Sequence, residues 1–364
     1  MRIYLICKRY YTNKDLIKDR FGRLYHLPEQ LVKNGAEVWV DAIDYRNKDC
    51  DALTAEGVYF RTTPASLPNI LALPYTLYRH CLAVKPDIIL ASGDSHIGFM
   101  ALLVAKKLRV PFAFDVYDYY PAFKGNRIPS MKTMFRYAVQ KADLVLCASE
   151  SLLDKLAPLN VSRLLVENGV DSSLFTPADM VQARKALGLQ QDAIFVGYFG
   201  SINSARGPLL IEACRIVRKD FPALHLLLAG KVDGVDVNES WIRYLGDLPQ
   251  RDIPTLINAC NVVTIPYADT PFNRMCGACK IAEYLACGKP VVATRVSSQG
   301  SVFYGTAASV CDATSHGVAD ALRKQLISPE LMPFPAHLSW ENIGETVLQR
   351  LHGIIQKMIG TVSL

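Results

Sequence analysis

Short apolar, β-branched runs alternate with longer amphipathic stretches along nearly the whole chain. An unbroken apolar run is typical of a strand buried on both faces, and an apolar stripe of helical period is typical of a helix on a sheet. The runs predict strands at 2–7, 37–41, 88–91, 112–114, 144–147, 164–166, 194–199, 224–229, 262–265, 291–293 and 308–311. The stripes predict helices at 24–33, 97–107, 131–139, 151–156, 206–218, 253–260, 280–287, 318–326 and 340–358. This alternation predicts an α/β fold with helices on both faces of parallel sheets.

Two such series of elements flank a polar turn at 168–173, so we expect two domains. The length of 364 residues agrees, since an average domain holds about 150 residues. We expect an N-terminal domain at 1–167 and a C-terminal domain at 168–339, each doubly wound and Rossmann-like. The amphipathic segment 340–364 is expected either to cap the second sheet or to cross back and pack on the first domain.

Composition limits the classes of function. Half of the residues are apolar and a fifth are charged, which excludes a disordered or low-complexity chain. The sequence has no apolar run of about 18 residues, and its first residues reach Lys and Arg before a signal peptide could form. It has no P-loop and no Gly-x-Gly-x-x-Gly after the first strand, which disfavours P-loop kinases and ordinary NAD enzymes. We therefore expect a cytoplasmic protein of another α/β class.

The cysteines predict neither a redox site nor a metal site. Most of the ten lie inside apolar runs, where reduced Cys acts as a small buried hydrophobic residue. Cys276 and Cys279 have the spacing of a redox motif, but they open a late helix instead of following the first strand of a βαβ unit. For zinc, only Cys287 lies nearby in sequence as a third ligand, without a neighbouring His.

Three segments carry the most specific pattern. They are the Glu-Asn-Gly-Val-Asp run at 167–171, Gly200 followed by an Arg206-Gly207 helix start, and the run at 280–294, Lys-Ile-Ala-Glu-Tyr-Leu-Ala-Cys-Gly-Lys-Pro-Val-Val-Ala-Thr. Together they resemble the family 4 retaining glycosyltransferases of the GT-B fold, and the resemblance runs through essentially the whole chain. It implies two Rossmann-like domains that face a central cleft lined by the carboxyl ends of both sheets.

The resemblance implies a site for a UDP- or GDP-linked sugar donor in the second domain. Glu283 matches the carboxylate that binds the ribose hydroxyls, and Arg206 matches the cation that holds the donor diphosphate. The family often has an Arg at the position of Ser201, and Lys280 is its substitute here. Met275 stands where the family has a Glu that contacts the donor sugar, so backbone N–H groups are expected to line that pocket. The expected donor-binding residues are Gly22, Gly200, Ser201, Arg206, Leu248, Met275, Cys276, Gly277, Lys280 and Glu283.

On the acceptor side, the resemblance points to loops that follow strands of the first domain. Gly22 and Arg23 match a glycine loop near the donor phosphate and the acceptor, and His96 follows the strand at 88–91. Tyr117 replaces the family's usual His or Arg, while Asp118 is retained. Asp118 either positions an acceptor hydroxyl, or takes its proton, or caps the next helix. His96 is likewise either a ligand contact or a structural residue.

The implied reaction uses no cofactor, because the nucleotide sugar is a substrate. Arg206, Lys280 and helix N-termini take the place of a metal ion in stabilising the nucleoside diphosphate leaving group. The candidate catalytic residues are Asp118, His96, Arg206 and Lys280. The family implies retention of the anomeric configuration, with the leaving phosphate acting as the base.

The first half of the chain carries the whole net charge of +6, since residues 1–170 hold 23 Lys and Arg against 17 Asp and Glu. No acidic residue lies between Asp118 and Asp143, and the cations there alternate with apolar residues. Residues 123–141 thus predict peripheral docking on an anionic membrane, unless they form a helix that packs its apolar stripe on the domain. Without a recognition motif, nucleic acid is not an expected partner.

The expected function is sugar transfer to a saccharide or polyprenyl-diphosphate-linked acceptor in cell-surface polysaccharide or lipopolysaccharide biosynthesis, on the inner face of the plasma membrane. A sugar-nucleotide epimerase of the same fold would need a denser set of acidic residues near the sugar than the sequence offers. A non-catalytic subunit that binds a sugar nucleotide or a glycan is the other alternative, because Ser201 and Met275 replace two residues normally used for donor binding.

Overall fold

The computed structural model describes residues 1–11, 14–46, 50–66, 69–123, 128–296, 302–303 and 309–362. The chain divides into two compact units. The first comprises Met1–Asn168, Met275–Gly277 and Trp340–Leu364, and the second comprises Gly169–Arg274 and Ala278–Ser339. Asn168, which the sequence analysis assigns to the second domain, thus belongs to the first unit.

The strands of the first unit are β1 (Arg2–Lys8), β2 (Tyr10–Tyr11), β3 (Lys14–Asp15), β4 (Glu37–Asp44), β5 (Ala52–Ala55), β6 (Val58–Pro64), β7 (Ile88–Ser92), β8 (Phe112–Val116), β9 (Leu144–Cys147) and β10 (Arg163–Leu165). Its helices before the second unit are α1 (Arg23–Lys33), α2 (Asn69–Val84), α3 (Ser95–Leu108), α4 (Met131–Lys141) and α5 (Glu150–Leu156). The second unit contains β11 (Ile194–Phe199), β12 (Leu224–Ala229), β13 (Ile242–Tyr244), β14 (Val262–Ile265), β15 (Val291–Thr294) and β16 (Val310–Cys311). Its helices are α6 (Met180–Ala186), α7 (Gly207–Val217), α8 (Ile253–Ala259), α9 (Cys279–Ala286) and α10 (Ser315–Ile327), and α11 (Trp340–Val362) follows.

The first unit is built on an eight-stranded sheet in the order β10-β9-β8-β7-β1-β4-β6-β5. All neighbouring strands in it are parallel except the edge strand β5, which runs antiparallel to β6. Every residue of β7 and β8 is buried, as expected for strands covered by helices on both faces. The predicted α/β fold with parallel sheets is confirmed.

The C-terminal helix α11 packs on α1 of the first unit. His26 of α1 stacks on Trp340 with ring centroids 5.7 Å apart. A Cβ built on Gly344 would lie 2.4 Å from the Cβ of Gln30, so the two helices approach so closely there that only glycine fits. Of the two placements that the sequence left open for this segment, the structure shows the one on the first unit.

The second unit contains a six-stranded parallel sheet in the order β13-β12-β11-β14-β15-β16. Polar caps begin two of its helices. The Asp179 carboxylate accepts the N–H of Gln182 at the start of α6, and the Thr314 hydroxyl accepts the N–H of Gly317 at the start of α10. Such caps satisfy backbone donors that the first turn of a helix leaves unpaired.

The structure contains elements that the periodicity did not predict. They are the long helix α2, the paired strands β5 and β6, the two-residue strands β2 and β3, the short helix α6 and the edge strand β13. The apolar residues of α2 surround the helix, and Pro74 lies inside it, so neither an amphipathic stripe nor an uninterrupted helical pattern marks it. Part of the predicted strand at 308–311 lies outside the described residues, which show only Val310–Cys311 as strand.

Candidate functional site

The candidate site of the second unit lies where the strand order reverses. The chain leaves β11 for β12 and β13 on one side, and then continues with β14, β15 and β16 on the other. In open α/β sheets, ligands bind outside the carboxyl ends of the two strands beside such a reversal. Here the loop after β11 carries Gly200 and Arg206, and the loop after β14 carries Tyr267.

Two glycines allow the loops after β11 and β12 to cross at backbone contact. Gly200 has a φ of 146° and Gly230 a φ of 126°. A Cβ built on Gly230 would lie 2.2 Å from the carbonyl oxygen of Gly200, closer than real Cβ atoms come. Only glycine fits at position 230. The sequence analysis identified Gly200 and missed Gly230, although each directly follows the apolar run of its strand.

The amine of Lys280 lies against Gly200. A Cβ built on Gly200 would be 2.5 Å from Nζ, and Nζ itself lies 5.4 Å from the centre of the Tyr198 ring. Burial alone would lower the pKa of Lys280, but the electrostatic influence of Tyr267 and Tyr198, with that of Glu283, leaves the pKa raised. Lys280 therefore stays positively charged beside the loop that follows β11.

Arg206 adds a second positive charge at the same reversal. It is the N-cap residue of α7, and its guanidinium carbon lies 4.5 Å from the centre of the Tyr267 ring. The two loops also meet through their backbones, since the N–H of Ala268 donates to the carbonyl of Ala205 at 2.9 Å. No acidic residue lies in the first turn of α7, so its positive dipole end and Arg206 favour the same kind of ligand, an anion.

Glu283 follows Lys280 by three residues on α9, so both side chains lie on one face of that helix. The side chain of Glu283 is half-buried. Burial raises the pKa of the Glu283 carboxyl, and the charge of Lys280 opposes this shift. The ionised carboxylate can only accept hydrogen bonds, which suits a ligand that offers hydroxyl groups.

Ser201 and Leu248 lie on loops of the same sheet edge. The phenol of Tyr198 donates to the carbonyl of Ser201 at 3.0 Å, so this contact uses the backbone of Ser201 and not its side chain. Leu248 is half-buried in the loop after β13. Two residues earlier, the carbonyl of Gly246 accepts the N–H of Gly230 at 2.7 Å. The structure therefore ties the Leu248 loop to the glycine crossing.

The segment Met275–Gly277 groups with the first unit, although its neighbours in the chain belong to the second. The hydroxyl of Ser149 donates to the carbonyl of Met275 at 3.0 Å, and the amide of Asn168 donates to the carbonyl of Gly277 at 2.9 Å. A Cβ on Gly277 would lie 2.3 Å from the carbonyl oxygen of the residue before Ser149. The first unit thus holds the backbone carbonyls of this segment. Contacts between its backbone N–H groups and the nucleotide sugar stay a prediction.

In the first unit, the strand order reverses between β1 and β7. Gly22 lies in the long loop after β1 as the N-cap residue of α1, with a φ of 73°. A Cβ there would lie 3.0 Å from the Tyr11 ring. Glycine therefore allows both the positive φ and the close approach of this backbone to the Tyr11 ring. The N-terminus of α1 has no acidic residue in its first turn.

The structure gives Arg23 a structural role in place of the acceptor contact expected from the sequence. Its side chain is fully buried, and its guanidinium forms a two-pronged ion pair with the buried Asp115, with the shortest distance 2.6 Å. The guanidinium also donates to the carbonyls of Val166 and Glu167. These bonds fix the start of α1 against the end of the domain's last strand, and the burial does not fit a direct acceptor contact.

His96 lies at the start of α3, in the loop region that follows β7. Its Nε2 is 2.5 Å from the hydroxyl of Tyr45. Burial lowers the pKa of His96, and the nearby Asp94 opposes the shift. The same loop is held by an ion pair of 3.5 Å between Lys8 and Asp94. A neutral imidazole at a strand end is suited to proton transfer or to binding a hydroxyl.

Tyr117 is buried, which does not fit the acceptor contact expected for it. Its ring packs edge-on against Tyr11 at 5.0 Å and against Tyr120 at 5.5 Å, and burial raises its pKa well above the ordinary value. Asp118 is half-buried. The N-cap residue of the short 3-10 turn that follows is Tyr119, so Asp118 does not fill the capping role that the sequence left open.

The predicted membrane segment is partly described. Lys124 and Arg127 lie outside the described residues. Lys132 and Arg136 are exposed on α4, whereas Phe135 is buried in the first unit. The helix therefore packs one apolar side into the unit and exposes cations on the other.

In the part of the chain that the structure describes, no three His, Cys, Asp or Glu side chains come together as a group able to hold a metal ion. None of the helices described there is both long and apolar enough to cross a membrane.

Two family models match separate parts of the chain. The model described as Glycosyltransferase Family 4 matches residues 23–174, and the model described as Glycosyl transferases group 1 matches residues 190–327. Each match falls almost entirely within one of the two units.

Named relatives share about a quarter of the aligned residues. A D-inositol 3-phosphate glycosyltransferase of Stackebrandtia nassauensis is 26% identical over 218 residues, which are 52% of this chain and 48% of that protein. The putative teichuronic acid biosynthesis glycosyltransferase TuaH of Bacillus subtilis is 26% identical over 171 residues, which are 44% of this chain and 42% of that protein. The chain thus spans about half the length of the curated relatives it matches.

Solved structures share the fold. The crystal structure of Anabaena HepE in complex with UDP-glucose superposes with a TM-score of 0.67 at 17% identity, covering 100% of this chain and 99% of that one. At this identity, the similarity is evidence for the fold alone.

Proposed function

The chain belongs to the family 4 glycosyltransferases of the GT-B fold, and from this premise we propose that it moves a sugar from a nucleotide-sugar donor to an acceptor hydroxyl. The observation that carries the proposal is the glycine crossing of Gly200 and Gly230 beside Lys280 and Arg206. Two cations beside a helix N-terminus are elements that bind a diphosphate, because both favour negative charge.

Each donor-site residue has a role that its chemistry supports. Lys280 and Arg206 bind the diphosphate, and the positive dipole end of α7 adds to their charge. Glu283 accepts the hydrogen bonds of the two ribose hydroxyls. Ser201 and Leu248 line the loops around the nucleotide. We propose that the donor is a UDP or GDP sugar, and the Anabaena protein in complex with UDP-glucose supports a donor of this class.

The chemical step follows from the charge that develops on the diphosphate. As the bond from the anomeric carbon to the phosphate oxygen breaks, negative charge accumulates on that oxygen, where Lys280 and Arg206 stabilise it. The acceptor oxygen forms the new bond, and its proton passes to the departing phosphate. We propose that the acceptor attacks on the face from which the diphosphate leaves, which retains the anomeric configuration. The two fixed cations supply the positive charge, so the proposed reaction is independent of a metal ion.

The first unit is proposed to bind the acceptor. Gly22 opens α1, and His96 and Asp118 are half-buried side chains that follow strands of this sheet. We propose that His96 and Asp118 contact the acceptor hydroxyl and that Asp118 orients it.

The acceptor is proposed to be a saccharide or a polyprenyl-diphosphate-linked glycan of cell-surface polysaccharide or lipopolysaccharide biosynthesis. The relative whose name refers to teichuronic acid biosynthesis supports this class. We propose that the protein works at the cytoplasmic face of the plasma membrane and docks through residues 123–141, whose described cations lie exposed on α4.

The test is a thermal-shift screen with UDP, GDP, ADP and CMP and their common sugar conjugates. We expect one nucleotide family to raise the melting temperature, because a ligand bound only to the folded state stabilises it. The variant Glu283→Ala should lose the shift, and Glu212→Ala, which removes an exposed carboxylate from α7, should keep it. The absence of a shift with every nucleotide would refute donor binding.

A non-catalytic binding subunit is the second candidate, because Met275 stands where the family has a carboxylate toward the donor sugar. Release of nucleoside diphosphate from the donor identified in the screen distinguishes the two. An enzyme releases it, whereas a binding subunit shows the thermal shift without turnover.

A further inference from the structure

A pocket lies in the first unit between the second half of α2 and the strands β4, β5 and β6. Its volume is about 410 Å³, and an adjoining cavity of about 370 Å³ shares Arg61, His80 and Ala83 with it. Trp39 and Tyr59 stack at its wall with ring centroids 5.2 Å apart. The loops that carry the proposed acceptor site do not line this pocket.

A buried carboxylate fixes His80 at the wall of both cavities. The side chain of Asp41 is fully buried and accepts the Tyr4 hydroxyl at 3.0 Å and the Thr63 hydroxyl at 2.5 Å. The Nδ1 of His80 lies 2.8 Å from the same carboxylate. A carboxylate only accepts hydrogen bonds, so Nδ1 carries the proton and Nε2 remains for a ligand. His80 is thus held in one orientation by residues of three strands.

The exposed charges at this pocket are all positive. Arg61 and Arg79 are exposed, and within the described residues no carboxylate pairs with either of them. No Asp or Glu lines either cavity. The two guanidinium groups match a phosphate group, because guanidinium N–H groups fit its oxygens in pairs, whereas the Nε2 of His80 can accept a hydrogen bond from a headgroup hydroxyl.

The helix that forms one wall of the pocket exposes apolar side chains to solvent. Leu71 is 84% exposed and Tyr75 is 63% exposed, and Ile70 and Leu82 of α2 are exposed as well. Exposed large apolar groups next to cations are typical of a surface that enters a membrane interface.

The neighbouring helices carry the same charge pattern. α2, α3 and α4 pack side by side, and none of the three contains an acidic residue. The exposed cations of α3 and α4 include Lys106 and Arg136. Binding of a free phosphate would explain only the two arginines. Binding of a membrane lipid also explains the exposed apolar side chains of α2 and the lack of acidic residues on α2, α3 and α4.

We propose that Arg61, Arg79 and His80 form a headgroup pocket, in which the two arginines bind the phosphate of an anionic membrane lipid while Leu71 and Tyr75 enter the interface. The inference deepens the proposed function, because it rests on the membrane partner proposed there and names the site that recognises it. The headgroup pocket would then add a specific lipid contact to the general attraction of α4.

The first experiment measures co-sedimentation with vesicles of phosphatidylcholine alone and of phosphatidylcholine mixed with phosphatidylglycerol. We expect binding to the mixed vesicles only, weakened about 30-fold by Arg61→Gln with Arg79→Gln, since each cation near such a surface contributes about fivefold. Leu71→Ser with Tyr75→Ser should weaken it at least about tenfold. The matched control, Lys185→Gln with Lys219→Gln, removes the same charge from exposed sites of the second unit and should bind as wild type.

A second measurement separates the pocket from general electrostatics. Calorimetry with dihexanoyl phosphatidylglycerol, kept monomeric, should show binding to wild type and to Lys132→Gln with Arg136→Gln, but not to the arginine pair variant. Equal binding by all three would overturn the pocket. Binding of glycerol 3-phosphate as tight as that of the lipid, and insensitive to Leu71→Ser with Tyr75→Ser, would overturn the lipid as its occupant.

The same samples keep this inference apart from the proposed function. Wild type that shows a nucleotide-induced thermal shift but no vesicle binding refutes the headgroup pocket and the proposed membrane docking, and leaves the proposed transfer reaction standing. Vesicle binding without any nucleotide-induced shift refutes the proposed transfer reaction alone.

Discussion

Replacing Gly230 by alanine tests whether the glycine crossing shapes the donor site. The added Cβ would lie 2.2 Å from the carbonyl oxygen of Gly200, and real Cβ contacts are not shorter than 3.0 Å, so the Gly200 loop must move by nearly 1 Å. Gly200 lies against Lys280, so the movement displaces the amine that is proposed to bind the diphosphate. A misplacement of about 1 Å can cost about 100-fold in rate, and we expect a loss of that size in nucleoside diphosphate release.

The matched control is Gly234→Ala, four residues further along the same loop. Gly234 also has a positive φ, of 65°, but a Cβ there meets no atom within 4 Å. Both variants bear the backbone cost of a positive φ, about 1–3 kcal/mol, which lowers the melting temperature by a few degrees. Gly230→Ala bears the steric clash in addition and should melt lower than Gly234→Ala, so turnover is compared at a temperature at which both variants are folded. Only Gly230→Ala should lose turnover. Equal turnover in the two variants would refute the crossing as a determinant of the site.

Three further predictions concern single side chains. Lys280→Met should abolish the thermal shift by nucleoside diphosphates but spare any shift by the bare nucleoside, and a retained diphosphate shift would place the phosphates elsewhere. Burial raises the pKa of Glu283, so titration calorimetry should show that nucleotide affinity falls as the pH falls through that pKa. Glu283→Gln should remove this pH dependence. The same pH profile in the variant and in wild type would exclude the Glu283 carboxylate as a nucleotide ligand. Arg23→Met leaves Asp115 buried without its partner and should lower the free energy of unfolding, measured with denaturant, by about 3–5 kcal/mol. Lys33→Met breaks the ion pair with Glu29 at the surface of the same helix and should lower the free energy of unfolding by about 0–1 kcal/mol. Similar losses in the two variants would contradict the structural role of Arg23.

The helices α2 and α4 show which structural features the sequence patterns did not predict. The acid-free run after Asp118 predicted a basic amphipathic helix, and α4 has that character in the residues described. The more exposed apolar surface lies on α2, which the sequence analysis did not predict as a helix at all. An all-round apolar segment gives no periodic signal, and only its packed neighbours decide which side stays exposed.

The sequence by itself determined the alternation of strands and helices, because buried parallel strands and amphipathic helices leave local patterns a few residues long. It also placed Gly200, Arg206, Lys280 and Glu283 at the second sheet through two family motifs, each of which occupies a short stretch of the chain. Two Rossmann-like units with parallel sheets followed from this and are confirmed.

Only the tertiary structure decided the contacts between residues far apart in the chain. Arg23 was expected at an acceptor, but it lies in the interior because Asp115, 92 residues later, neutralises it there. Gly230 is required because the carbonyl of Gly200 crosses its path. Burial, charge compensation and steric clearance depend on which distant segments the fold brings together, and a local pattern contains no record of them.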